Sequence, residues 1–83
     1  MNLTIVSPEN TVYQGEATSV TLPGTSGAFE VLDNHAPLIS SLSAGDIIIE
    51  SADGEKKIGI LSGFVEVADN EVSICVEQSA QEN

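Results

Sequence analysis

Apolar residues along this chain alternate with polar ones for most of its length. Leu3 and Ile5 alternate with Asn2 and Thr4, and Thr18, Val20 and Leu22 fall on one side of a strand with Ala17, Ser19 and Thr21 on the other. Ile58 and Ile60 form one short run, Val65 and Val67 another. The sharpest alternation is EVSICVE, where Val72, Ile74 and Val76 share a face opposite Glu71, Ser73, Cys75 and Glu77. Successive side chains of a strand point to opposite faces, so each segment predicts a strand with one face in a core. No segment carries the 3.6-residue stripe of an amphipathic helix. DIIIE differs: its three consecutive residues Ile47 to Ile49 predict a strand covered on both faces.

Turn signals divide these runs. Pro23-Gly24 closes one strand, Asp53-Gly54 predicts a hairpin because glycine tolerates positive φ, and Asp69-Asn70 predicts a second hairpin. Their spacing implies an all-β domain of about eight to ten short strands, arranged as a flattened antiparallel sandwich or barrel. Ser62-Gly63 separates two apolar runs, and reads either as a bulge or tight bend, or as a point of close approach by another backbone. Residues 1–78 form one sandwich domain in this reading, and the polar tail 79–83 is expected to fray.

Composition sharpens this. Eighty-three residues fit one small domain, and 41% hydrophobic residues suffice for a core without disulfides or metal. Thirteen acids against two bases give a formal charge of -11. Phosphate would be repelled, which disfavours nucleic acid and anionic lipid and favours a basic protein partner. The single cysteine, Cys75, excludes an internal disulfide and a cysteine-based zinc site. The N-terminal stretch lacks the basic region of a signal peptide, and no apolar run approaches the ~20 residues that span a bilayer. The expected compartment is cytosolic, with membrane association only through another protein.

Candidate chemistry is sparse. Asp33 lies two residues before His35, the only histidine, but no nucleophile elbow accompanies them, and a triad is defined by geometry, not ingredients. The acids are scattered, with no calcium-loop spacing, and PGTSG lacks the Lys-Ser/Thr ending of a phosphate loop. No metal and no cofactor are expected. His35 reads as a histidine satisfied by backbone at a turn before Pro37, or as a pH-sensing interface residue. Cys75 reads as a packed or interfacial thiol. Phe64 falls on the face opposite Val65 and Val67, and an outer-face aromatic suggests a partner where other apolar groups join it.

Four ordered stretches carry a resemblance: LTIVSPENTVYQGEATSVTLPGTSGAFEVLDNHAPLISSL, AGDIII, LSGFVEV and NEVSICVE. Together they resemble the N-terminal β-sandwich domain of the epsilon subunits of F-type ATP synthases, over Leu3 to Glu77. The resemblance implies a non-catalytic rotor part at the foot of the central gamma shaft. There it touches the ring of membrane-embedded c subunits and couples proton flow to ATP synthesis, on the cytoplasmic side of a bacterial energy-transducing membrane. It implies gamma contacts at Ser7, His35, Ser40, Gly63 and Phe64, and c-ring contacts in the loop after LPG at Ser26, Ala28 and Glu30. Many relatives carry an acid just after the second glycine of that loop; here the position is Ala28, with Glu30 two residues later. The family usually continues into a C-terminal helical hairpin that restrains ATP hydrolysis in some members, and no hairpin-dependent inhibition is expected of this chain. The alternatives are a free-standing β-sandwich that binds peptide or carbohydrate and, less favoured, an enzyme. Tyr13, Phe29 and Phe64 are the only rings available to stack on a sugar.

Overall fold

Eight strands, and no helix, make up the computed structural model, which describes residues 1–78; the predicted frayed tail, 79–83, lies outside the described residues. The strands are β1 (Asn2–Val6), β2 (Thr11–Glu16), β3 (Ser19–Gly24), β4 (Gly27–Leu32), β5 (Leu38–Leu42), β6 (Gly45–Ser51), β7 (Gly54–Ala68) and β8 (Glu71–Gln78). One layer runs β2-β1-β8-β7-β5, and the other joins β4, β3 and β6 to the first half of β7. A single pair, Gly24 with Leu42, links β3 to β5 and completes the circuit β3-β6-β7-β5. The result is the expected β-sandwich, flattened to 20 Å along its shortest axis, the depth of two sheets packed about 10 Å apart.

The two-residue period places the core. Tyr13, Ile5, Ile74, Val65 and Ser40 form one cross-strand row on the inner face, and Gly15, Leu3, Val72, Val67 and Leu38 form the next. Val20, Leu22, Val31, Ile47, Ile49, Ile58 and Ile60 face them from the other layer, all buried. The predicted alternation of EVSICVE holds residue by residue, with Val72, Ile74 and Val76 buried and Glu71, Ser73, Cys75 and Glu77 exposed. In DIIIE only Ile47 and Ile49 are buried. Ile48 is half-buried beside Thr21 and Lys57, so the strand is covered on one face and not on both.

Both hairpins form. Asp69 (φ 54) and Asn70 (φ 61) are the two loop residues between Ala68 and Glu71, the positive-φ pair of a type I′ turn, whose twist matches that of the strands it joins. In the β6–β7 hairpin the loop residues are Ala52 and Asp53, and Gly54 (φ 107) takes the left-handed position as it opens β7. Pro23 and Gly24 end β3, and the turn itself is Thr25 and Ser26.

Besides the outer side of Ile48, two further expectations need correction. β7 is one strand of fifteen residues, where the sequence reads as two short runs. Its first half pairs with β6 and its second with β5 and β8, and the change of layer falls at a register shift between Ile60 and Ser62. The bulge reading and the close-approach reading of Ser62-Gly63 therefore both apply. A Cβ on Gly63 would sit 2.4 Å from the Cys75 carbonyl oxygen, so only glycine lets β8 pass at that distance. The second correction concerns direction: β1 and β8 pair in parallel, within a sheet otherwise antiparallel. Hairpin signals report only strands consecutive in the chain, and no turn links the first strand to the last.

The Met1 α-ammonium closes one end of the sandwich. It donates to the Ala17 carbonyl at 3.0 Å and to the Asp33 carboxylate, with Glu16 at 3.5 Å. The hydrogen bond to Asp33, reinforced by the charges of Asp33 and Glu16, holds this amine above its ordinary range.

Candidate interaction face

The outer side of the β1-β8-β7-β5 layer carries the feature that the inner core does not account for. Directly paired strand residues share a face, so the pairings Val6–Cys75, Cys75–Phe64 and Phe64–Ser41 make one outward row across four strands. Next to it runs Thr4, Ser73, Glu66 and Ile39. Phe64 is 53% exposed and Ile39 75%, unusual values for large apolar side chains on a sheet face that packs on nothing. An open groove of about 630 Å³ lies along the first row, lined by Val6, Ser7, Pro8, Gly63, Phe64 and Cys75, with Glu77 in its wall.

Local structure explains the groove. After Val6 the chain leaves the sheet through a tight loop, in which the Ser7 amide donates to the Asn10 carbonyl at 2.9 Å. Ser7 and Pro8 stand at the rim as a result. The Cβ that Gly63 lacks would meet the Cys75 carbonyl oxygen and Val76, so its absence lets β8 pack closely on β7 beneath the groove.

The expected gamma-contact residues separate into three groups. Ser7, Gly63 and Phe64 come together in the groove. Ser40 lies on the opposite side of β5, beside Val65 and half-buried, with its hydroxyl donating to the Ser41 carbonyl at 3.2 Å. His35 sits at the far end of the sheet, in the turn between β4 and β5. Its amide donates to the Leu32 carbonyl at 3.2 Å and its Nδ1 lies 2.7 Å from the Ala36 carbonyl, the backbone-satisfied turn histidine of the sequence reading. That turn is pinned to the β7–β8 hairpin, because the Asn34 amide donates to Asn70 Oδ1 at 2.7 Å.

The expected c-ring residues occupy the β3–β4 hairpin. Ser26 is in its two-residue turn, and Ala28 and Glu30 are exposed on the same side of the edge strand β4, opposite Pro23 and Thr21. Among the described residues no group of three His, Cys, Asp or Glu side chains could hold a metal ion, and no helix is long and apolar enough to cross a membrane. The sequence reading missed Pro8, Leu32, Ile39 and Leu61 as exposed apolar groups, and Val6 as a half-buried one at an outward position. Period two orients two of them: with Leu3 and Ile5 inward, Val6 faces outward, and with Leu38 and Leu42 inward, so does Ile39.

Comparison with known proteins follows the same lines. An epsilon chain of ATP synthase from Leptospira borgpetersenii is 41% identical over 80 residues, covering 96% of this chain and 63% of the relative. One from Campylobacter jejuni is 49% identical over 77 residues, covering 92% and 58%. The chain thus spans about three-fifths of the length of these relatives. Similar folds occur in the central stalk and c-ring structure of Tetrahymena thermophila mitochondrial ATP synthase (TM-score 0.80, 15% identity, 93% of this chain and 63% of that one). They occur also in the OSCP/F1/c-ring structure of the Euglena gracilis enzyme (TM-score 0.85, 23% identity, 94% and 51%). The sequence model of the family described as the ATP synthase delta/epsilon chain β-sandwich domain matches residues 1–82, and the chain belongs to that family.

Proposed function

We propose that this chain is a non-catalytic rotor component of an F-type ATP synthase, which joins the gamma shaft to the c-subunit ring and so couples ion flow to ATP synthesis. The observation that carries the proposal is the outward row Val6, Cys75 and Phe64, with Ile39 beside it, on a chain whose relatives are ATP synthase epsilon chains. Sandwich architecture by itself would name no function. In this reading the row docks on gamma and the β3–β4 hairpin approaches the ring. The domain turns with both and is held at the membrane only through the complex.

A mechanical joint needs stiffness more than reactive groups. The circuit β3-β6-β7-β5 closes through the single β3–β5 pair Gly24 with Leu42, and β7 belongs to both layers, so force applied to one layer reaches the other through continuous backbone. The test is association with purified gamma, read by co-elution in size-exclusion chromatography. A stoichiometric complex is expected, and Phe64→Ser should dissociate it while the melting temperature stays near the parent value. A parent chain that elutes alone under mild salt contradicts the proposal.

A further inference from the structure

The apolar row has a carboxylate on either side. Across β7 and β8, Ser62 pairs with Glu77 on one side of the row, and Glu66 pairs with Ser73 on the other. Residues two apart on a strand share a face, so both glutamates project outward with Phe64, and both are exposed. The four-residue step along β8 from Ser73 to Glu77, with the one-strand offset of Glu66 on β7, sets their separation at about 14 Å. Within the described residues the ion pairs join the Met1 amine to Glu16 and Asp33, and neither Glu66 nor Glu77 has a cationic partner. The two lysines of the chain, Lys56 and Lys57, lie on the first half of β7, opposite Ile49 and Ile48 in the other layer.

This arrangement restricts what can cover the row. An uncharged apolar surface would strip water from two carboxylates and return nothing, which is costly. A second copy of the chain would bring -11 against -11, with glutamates beside the row on both surfaces. Lys or Arg on the partner would be steered in by the net charge and then pair at the rim. We infer that this face selects a partner surface carrying an apolar anchor with a basic residue on each side, those two about 14 Å apart. The inference rests on the proposed function and specifies the chemistry of the gamma surface that docks here.

The test measures binding of the purified gamma subunit to three forms of the chain between 50 and 300 mM NaCl. They are the parent, Glu66→Gln/Glu77→Gln, and Glu50→Gln/Glu55→Gln. The last removes the same charge from a residue pair at the β6–β7 hairpin, away from the row. All four positions are exposed, and matched melting curves establish that each form is folded. At 50 mM salt the Glu66/Glu77 form should lose roughly two- to five-fold in affinity per charge, while the Glu50/Glu55 form changes less than about two-fold. The loss should shrink at 300 mM, where exposed charges are screened within about 6 Å. An equal loss in both forms would assign the effect to net charge and overturn the inference. So would an unchanged Glu66/Glu77 form whose complex still breaks on Phe64→Ser, a result that leaves the docking proposal standing. A parent chain that binds no gamma at any salt removes both.

Discussion

Gly63 is the residue where packing and the candidate interface meet. Any side chain there would press on the Cys75 carbonyl oxygen at 2.4 Å and on the Val76 Cα at 3.2 Å, both backbone atoms that cannot rotate away. Gly63→Ala must therefore spread β7 from β8, at a cost of about 1–3 kcal/mol by urea denaturation. An unchanged midpoint would mean that the strands have slack. Ile74 shows the opposite constraint. It is 1% exposed, between Ile5 and Val65 on the inner face, and Ile74→Ala leaves a void that flanking strands cannot fill. The expected loss is about 2–5 kcal/mol; a loss under about 1 kcal/mol would place Ile74 outside the core. His35, by contrast, spends its hydrogen bonds on neighbouring carbonyls, which suits a turn residue better than a reacting group.

At the scale of elements, what could be read in advance was what short-range chemistry dictates. The alternation in β8 and the Asp69-Asn70 turn follow from two-residue periodicity and from the tolerance of Asp and Asn for positive φ. Three features depend on distant pairing and left no local mark: the continuity of β7, the parallel β1–β8 pair, and the open outer side of Ile48. The candidate face was partly legible. Phe64 and Cys75 stood out as apolar groups at outward positions, whereas their alignment with Val6 depends on the β1–β8 register. Ser40 is separated from them by the same two-residue period that orders the sheet. The β3–β4 hairpin offers a separate prediction. Glu30 is exposed on an edge strand opposite Thr21, so Glu30→Lys should change stability by less than about 0.5 kcal/mol. Retention of the domain by detergent-solubilised rotor complexes should nonetheless change, if this hairpin approaches the ring. Normal retention would mean that the hairpin makes no contact there.

As a whole molecule, the domain has 4778 Å² of accessible surface, and a standard interface takes about 800 Å² from each partner. Two such interfaces, one on the β1-β8-β7-β5 face and one at the β3–β4 hairpin, would occupy about a third of that surface, enough to hold a small domain between larger neighbours. Cys75 reports directly on the first of these. It is the only cysteine of the chain, it is exposed, and it is paired across the sheet with Phe64 at the centre of the row. The decisive measurement is the rate at which N-ethylmaleimide alkylates Cys75 with and without gamma. With gamma at about ten times its Kd, labelling should slow about tenfold, in step with the unbound fraction, and Phe64→Ser should restore the free rate. A Cys75 that labels at the free rate within an intact complex would show that this face is not where the shaft docks.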